Sequence, residues 1–258
     1  MTRRGFIALA GAASVLPELR AETRQERGRQ IAEKAIHALG GDGFRQMQTR
    51  TETGRSYSFY NEQITGLSIA RIYTKYRVAE QVQRQVFGKK MDDAIILTPR
   101  AAWEVNYRGA KPLGDERVKQ FRETTLHDIF YILRMRLNEP GLAIDSQGHD
   151  VIENQPVEAV EVFDAENRRV KVWFHSGSML PVKQSFQMFD PIINDRREMV
   201  TRYAKYRQVG NGVQWPYDVE RERDGEKIFE LYSEKVTVGD PMDDSMFELP
   251  PGIKILKK

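Results

Sequence analysis

The sequence predicts an α+β fold in which a strongly curved antiparallel sheet forms an unclosed β-barrel, or half-barrel, with helices on its concave face. Apolar and polar side chains alternate through most of residues 49–238, as they do in strands with one buried face. The turns between these segments are short and rich in Gly, Asn and Asp, which is typical of hairpins. Only two long segments have helical spacing, and they do not alternate with strands as in βαβ units.

The first helix is predicted over residues 23–39. Ile31, Ala35 and Leu39 recur at i, i+4 and i+8 and form one apolar stripe, whereas the opposite face is charged. The sequence Gly40-Gly41 follows, and glycine supplies the left-handed conformation with which many helices end. We expect this helix to cover a sheet.

Five strands and a second helix are predicted next. The strand patterns cover residues 49–60, 67–73, 76–87, 92–97 and 101–107, and their short turns make them antiparallel neighbours. Apolar side chains then recur at helical spacing from Asp115 to Leu137, and Asn138-Glu-Pro-Gly141 ends this helix. Its broad apolar face requires a hydrophobic surface, which a curved sheet provides.

A β-meander follows the second helix, and we predict that it forms the central wall of the half-barrel. Its strands cover residues 157–163, 170–175 and 180–189, and further strands are predicted at residues 197–207, 213–223 and 227–238. On the middle strand of the meander, Val170, Val172 and Phe174 share the more apolar face. We therefore expect Phe174 to point towards the helices and Trp173 to point away from them.

Residues 1–21 have the pattern of an export signal. Arg3 and Arg4 precede Phe6 and a short apolar run, and a small-residue cleavage site follows at Ala21. The paired arginines favour twin-arginine export, and the alternative is an ordinary secretory signal that contains two arginines. We predict a single domain over residues 22–258 that is exported to the periplasm, soluble and without a transmembrane segment.

The charge balance argues against a nucleic-acid partner. The formal net charge is +3, and the segment 1–21 contains Arg3, Arg4, Arg20 and Glu18, so its removal leaves +1. Positive and negative side chains are interspersed along the strands, which indicates solvated faces and not a phosphate-binding patch.

The residue types of the chain exclude several kinds of chemistry. There is no Cys, which excludes disulfides, cysteine nucleophiles and a lipid anchor on an N-terminal cysteine. His37, His127, His149 and His175 lack the spacing of metal ligands, and no phosphate loop or dinucleotide fingerprint is present. We predict no catalytic residue, no metal and no cofactor, and a hydrolase that uses His149 is an alternative hypothesis.

Four short motifs resemble those of a known superfamily. The first helix ends in Ala38-Leu39-Gly40-Gly41, the meander contains Lys171-Val-Trp-Phe174 and Met179-Leu-Pro-Val-Lys183, and the last motif is Met246-Phe-Glu-Leu-Pro250. With these motifs, residues 23–252 are similar to the outer-membrane lipoprotein-sorting superfamily, the carriers and receptors typified by the periplasmic lipoprotein chaperone. The resemblance implies an unclosed β-barrel around helices, with an apolar cavity that accepts acyl chains. This chain is larger than those carriers and has the second helix in addition.

The side chains that would line such a cavity are apolar and lie on the second helix and the strands. Ordinary core packing is the alternative interpretation, because an apolar stripe at helical spacing normally indicates burial. The candidates are Tyr57, Phe59, Tyr73, Trp103, Phe121, Leu126, Ile129, Phe130, Leu133, Phe174, Phe186 and Tyr203.

Two hypotheses of function follow. The first is a non-catalytic, monomeric periplasmic carrier or binding protein for a lipid, a lipoprotein acyl chain or another apolar ligand. Each buried methylene contributes about 0.8 kcal/mol, so a long chain needs few polar contacts to bind. The second is an envelope scaffold or protein-interaction module without a ligand cavity, which would bind partner proteins through the edges or the convex face of the sheet.

Overall fold

The computed structural model describes residues 22–78, 80–90, 93–191 and 193–257. Within these ranges the chain forms one antiparallel sheet of 13 strands that is not closed into a barrel, with a few helices packed against it. The predicted fold class is therefore confirmed. The predicted export signal lies outside the described residues and stays a prediction.

The strands follow one another as antiparallel hairpins, interrupted once by helices. They are β1 Thr49–Tyr60, β2 Gln63–Tyr76, β3 Gln81–Phe87, β4 Asp93–Leu97, β5 Ala102–Asn106, β6 Gly109–Pro112, β7 Ala143–Ile152, β8 Gln155–Phe163, β9 Arg169–His175, β10 Pro181–Asp190, β11 Asp195–Gln208, β12 Gln214–Arg223 and β13 Glu226–Val238. The sequence patterns did not predict β6, which has four residues, or β7, which is mostly polar.

The strand order in the sheet is β6-β5-β4-β3-β2-β1-β13-β12-β11-β10-β9-β8-β7. The first and last strands pair in the middle of the sheet, where Arg50 of β1 lies opposite Val238 of β13. The meander β8–β10 consequently lies towards the β7 edge, and the prediction that it forms the central wall is wrong. Short turns specify only sequential neighbours, so no local pattern indicates a pair of strands from distant parts of the chain.

Helix α1 (Arg24–Ala38) matches the first predicted helix. Its N-terminus is a capping box, in which the Thr23 side chain accepts a hydrogen bond from the Glu26 backbone N–H and the Glu26 side chain bonds back to Thr23. Gly28 lets the helix approach β7 closely, since a β carbon there would lie 2.1 Å from the carbonyl oxygen of Ile144. A short helix α2 (Asp42–Gln46) follows.

The second predicted helix is interrupted at Asp128. Helix α3 (Asp115–His127) ends because Asp128 has an extended backbone, with φ −70° and ψ 123°. The Asp128 side chain accepts a hydrogen bond from the Tyr131 backbone N–H and so caps a new segment, α4 (Ile129–Tyr131). A π-helical turn (Ile132–Arg136) continues α4. Short 3₁₀ turns also occur at Gly210–Gly212 and Asp244–Phe247.

The main core joins α1, α4 and the π-helical turn to strands β7–β13. Ile129, Leu133 and Phe174 are buried in it, and Phe174 therefore points towards the helices, as expected. Trp173 belongs to a separate cluster with Val157 on the other face of the sheet. In the ranges that the structure covers, no helix is long and apolar enough to cross a bilayer.

Candidate functional site

A cavity of about 530 Å³ lies between helix α3 and the concave face of the sheet. Side chains of β1–β4 and β10–β13 form its walls, and α3 with the start of α4 covers it. Protein sites for small ligands have volumes of roughly 300–1,000 Å³. This space therefore has the size of a ligand site.

Strand register determines which side chains reach the cavity. Thr201, Arg221, Phe229, Ser58 and Gly66 lie side by side across β11, β12, β13, β1 and β2. All of them line the cavity. Because successive side chains alternate between faces, every second residue of these strands points into the concave space.

The β1–β2 hairpin leaves room for the cavity because its inward side chains are small near its turn. The inward positions there hold serine, glycine or alanine, namely Ser56, Ser58, Gly66, Ser68 and Ala70, whereas Arg50, Glu52 and Ile72 line the cavity further from the turn. Larger side chains at these positions would fill the space at the density of an ordinary core. The open volume is thus a consequence of the local sequence.

The opposite wall of the cavity is aromatic. Phe130 of α4 meets Tyr203 edge-to-face, with ring centroids 5.0 Å apart, and lies 4.6 Å from the ring of Trp215. Phe186 and Leu231 extend this apolar surface. Such a wall suits an aliphatic chain, which gains its binding energy by leaving water.

A buried ion pair lies at one side of the cavity. Arg50 Nε donates a hydrogen bond to Glu52 Oε1 at 2.7 Å, and the Arg50 guanidinium lies 3.9 Å from the centroid of the Trp215 ring. Burial lowers the pKa of Arg50, but Tyr76 and Glu52 more than offset this effect and the pKa is raised. The guanidinium therefore stays charged, and its partners satisfy it within the protein.

Two polar side chains fix the start of α4 beside the cavity. Gln184 Oε1 accepts hydrogen bonds from the Ile129 backbone N–H and the Tyr203 hydroxyl, both at 2.9 Å. Asp128 Oδ1 accepts a hydrogen bond from the Tyr131 backbone N–H at 3.0 Å. Burial raises the pKa of the Asp128 carboxyl, because a charge there loses contact with bulk water.

Helix α3 presents a polar face to the cavity. Arg117, Gln120 and Thr124 lie at i, i+3 and i+7 and line it, whereas the neighbouring Phe121 belongs to an apolar cluster with Leu97 and Ala102. The apolar stripe in the sequence predicted the side of α3 that packs in a core. The polar residues at the same helical spacing could have predicted the side that faces the cavity.

The structure brings part of the predicted ligand set together. Phe130, Phe186 and Tyr203 line the cavity, and Phe121 lines a cleft of about 110 Å³ that shares Gln83 with it. The members that lie in or against the main core are Leu126, Ile129, Leu133 and Phe174. A role of these residues in binding stays a prediction.

Four members of the predicted set lie on the other face of the sheet. Tyr57 and Phe59 lie on the convex side of β1, where Tyr57 packs edge-to-face on Tyr232 at 5.9 Å. Tyr73 and Trp103 belong to a cluster beneath the C-terminal segment. The resemblance, and the general use of curved sheets to hold apolar ligands, assigned these aromatic side chains to the cavity, but on β1 the inward positions beside them hold Ser56 and Ser58.

A second cavity, of about 440 Å³, lies on the convex face, but the charges in it are paired. Arg202 lies 3.9 Å from Glu220, and Lys205 Nζ lies 2.9 Å from Asp218. Paired, solvated side chains of this kind are ordinary features of a strand surface. These charged side chains therefore balance one another within the protein and do not attract a charged ligand.

The histidines that were considered as metal ligands or as part of a hydrolase lie outside the main cavity. His127 is buried and stacks on Phe186 at 4.3 Å, and burial lowers its pKa, so the ring is neutral. His149 is exposed and lies 3.0 Å from Glu158. Among the residues described, no group of three or more potential metal ligands occurs.

Three solved structures resemble this fold. An outer membrane lipoprotein-sorting protein domain from Vibrio parahaemolyticus aligns over 87% of this chain and 97% of its own, with 12% identity and a TM-score of 0.59. A DUF1329 family protein from Desulfovibrio piger aligns over 88% and 98%, with 11% identity and a TM-score of 0.59. A LolA superfamily protein from Nitrosomonas europaea aligns over 85% and 96%, with 13% identity and a TM-score of 0.51. No family model and no curated protein matches the sequence.

Proposed function

We propose that this chain, which has the LolA-like open-barrel fold of the lipoprotein-sorting proteins, is a non-catalytic periplasmic carrier for a lipid, an acyl chain or another apolar ligand. The observation that supports the proposal most strongly is the cavity of about 530 Å³ between α3 and the concave face. The ligand would lie against the aromatic wall and would pass unchanged to an acceptor.

The energetics of burial are sufficient for such a carrier. Each methylene removed from water contributes about 0.8 kcal/mol, so ten buried methylenes contribute about 8 kcal/mol. A binding free energy of that size corresponds to a dissociation constant of about 1 μM. Few polar contacts are then required, and an acceptor with a somewhat larger apolar site can remove the ligand.

Three polar side chains of the cavity wall are engaged in hydrogen bonds within the protein. Arg50 and Glu52 bond to each other, and Gln184 bonds to Ile129 and Tyr203. A catalytic base or nucleophile requires a free group that reaches the substrate, usually with a second group that activates it. These side chains are instead used to hold the wall together.

The test is to identify lipid that co-purifies with the protein from its own periplasm, by extraction and mass spectrometry. Ser68→Phe would fill the cavity, because Ser68 lines it, and Ile69→Phe is the matched control on the convex side of the same strand. We expect lipid with the wild type and Ile69→Phe, and much less with Ser68→Phe. Lipid-free wild-type protein, or equal lipid in both variants, would contradict the proposal.

A second candidate is an envelope protein-interaction module, favoured by the exposed tip of the β1–β2 hairpin. Tyr60, Ile64 and Leu67 are 67%, 61% and 63% exposed there. Clustered exposed apolar side chains often mark contact surfaces. In-cell cross-linking that captures one partner with the wild type but not with Tyr60→Ser/Leu67→Ser, from protein free of lipid, would support this candidate.

A further inference from the structure

We propose that the cavity binds an anionic amphiphile, with a carboxylate or phosphate head group between Arg117 and Arg221 and an aliphatic chain along the aromatic wall. This inference rests on the proposed carrier function and names the ligand class for the same cavity. Three features of the described residues carry it: the convergence of the two arginines, the lack of a carboxylate partner for either, and the amide groups around them.

The two arginines come from opposite sides of the cavity. Arg117 lies in the first turns of α3, and Arg221 lies on β12, on the row of side chains that points inward. Both line the main cavity and the adjoining cleft. Burial lowers the pKa of Arg117, and the positive charge of Arg221 lowers it further, which indicates that the two guanidinium groups are close.

Neither guanidinium is neutralised within the described part of the chain. Arg117 donates a hydrogen bond to the neutral Gln120 side chain at 2.9 Å, and Arg221 lies 5.5 Å from the centroid of the Phe229 ring. No ion pair joins either arginine to a carboxylate among the residues described. Arg117 is half-buried and Arg221 is exposed. Two like charges that face one cavity repel, and an anion between them would relieve that repulsion.

Other arginines of this protein do have carboxylate partners. Arg136 Nε lies 2.6 Å from Glu139, and Arg197 Nη1 lies 2.7 Å from Asp224. The carboxyl of Asp128 lines the same cavity and caps α4; burial raises its pKa and outweighs Arg50 and Arg221, which lower it. Among the residues described, Asp128 makes no ion pair with Arg117 or Arg221, so it leaves their charges available to an external anion.

Amide side chains surround the arginine pair. Gln83 and Gln85 of β3, and Gln120 of α3, line both the cavity and the cleft. Arginine forks and amide N–H groups are the donors that carboxylates and phosphates accept from. The apolar wall of Phe130, Phe186 and Trp215 lies in the same cavity, so one molecule with a charged head and an aliphatic tail satisfies both regions.

Calorimetric titration with ligands that differ only in the head group tests the inference. The probes are hexadecanoate, hexadecyl phosphate and the neutral hexadecanol, each kept as a monomer below its solubility limit. We expect at least one of the anions to bind the wild type about tenfold tighter than the alcohol, because charge-assisted hydrogen bonds are stronger than neutral ones. Arg117→Gln/Arg221→Gln should lose this preference and still bind hexadecanol, which also shows that the variant is folded.

The matched control is Arg24→Gln/Arg71→Gln, which removes two exposed arginines outside the cavity and should keep the preference. Equal affinity of the wild type for all three probes, or a preference retained by Arg117→Gln/Arg221→Gln, overturns the arginine site and leaves the carrier function intact. Failure of every probe to bind the wild type contradicts both. Displacement of hexadecanoate by equimolar inorganic phosphate would overturn the amphiphile and indicate a site for small anions.

Discussion

Strands β7–β11 and strands β2–β5 have their largest apolar clusters on opposite faces of the sheet. In β7–β11 the inner face carries Val160, Val172 and Phe174, which pack against α1 and α4. In β3 and β4 the outer face carries Val86 and Ile96, which pack beneath the C-terminal segment. The inner face of β1–β3 lines the cavity with small and polar side chains and with Ile72 and Phe87.

The difference shows that alternation alone does not define the inside of a half-barrel. The same period of two occurs in both halves, because the side chains of a strand alternate between the two faces of the sheet. The element that covers the largest apolar cluster differs: helices cover it in one half, and the C-terminal segment covers it in the other. A cavity results where the inward face is small or polar and only α3 lies above it.

The largest expected effect compares a phenylalanine of the packed core with one that borders the cavity. Phe174→Ala should reduce the free energy of unfolding by about 4 kcal/mol, because it opens a void in a packed core. Phe229→Ala removes a half-buried side chain that already borders open space, and should cost about 1–2 kcal/mol. Guanidinium chloride unfolding measures both values, and equal losses would contradict the division into a packed and an open half.

The second effect compares an ion pair beside the cavity with one on the outer surface. Glu52→Gln leaves Arg50 buried without its carboxylate, and should destabilise the fold by about 3 kcal/mol. Glu234→Gln breaks the exposed pair with Arg55, and should cost under about 1 kcal/mol. The side chains of Glu52 and Glu234 are 6% and 62% exposed. Similar losses in thermal and chemical unfolding would mean that Arg50 is hydrated and not enclosed.

The third effect concerns acid stability of the packed half. Burial by itself raises the pKa of Asp164, but hydrogen bonds from Arg136 and Arg168 more than offset burial and lower the pKa to about 2. A depressed folded-state pKa stabilises the protein above the unfolded-state value of 3.8, and this contribution disappears as the pH falls towards 2. The stability difference between wild type and Asp164→Asn should therefore narrow by about 2 kcal/mol between pH 5 and pH 2. A constant difference would contradict the ion cluster.

The smallest expected effect concerns Asp128 beside the cavity, whose pKa is shifted in the opposite direction to that of Asp164. Burial raises the pKa of Asp128, so its charged form costs stability that is regained on protonation. Asp128→Asn keeps a good helix cap and removes the charge. Its stability relative to wild type should improve as the pH rises through the raised folded-state pKa. An improvement on acidification, as measured by urea unfolding across pH, would contradict burial of this carboxyl beside the cavity.

The local sequence predicted the helices and most of the strands. It did not indicate which strands from distant parts of the chain pair with each other. The apolar stripe that ends at Leu39, together with the two glycines after it, predicted α1 correctly. A helix and its caps depend on residues that are close in sequence. The pairing of β1 with β13 depends on residues far apart in the chain, and no turn encodes it. The break at Asp128 was hidden because apolar spacing continues through it from Phe121 to Leu133.

The sequence predicted a side chain of the candidate site only where that side chain both packs in the core and lines the cavity. Phe130, Phe186 and Tyr203 are apolar side chains that both border the core and line the cavity. Ser56 and Gln83 gave no such signal, because small and polar side chains in a strand usually indicate a solvated face. Recognition of an internal cavity required knowing which face α3 covers.

Tryptophan fluorescence with a quenching ligand tests most directly whether an aliphatic chain enters this cavity. The chain has three tryptophans, and Trp215 lines the cavity, whereas Trp103 and Trp173 lie in clusters on the other face. Hexadecanol brominated in mid-chain should quench Trp103→Phe/Trp173→Phe, which retains Trp215, strongly and to saturation. It should leave the emission of Trp215→Phe nearly unchanged. Equal quenching of the two variants, or none in the variant that retains Trp215, would contradict an acyl chain in the cavity.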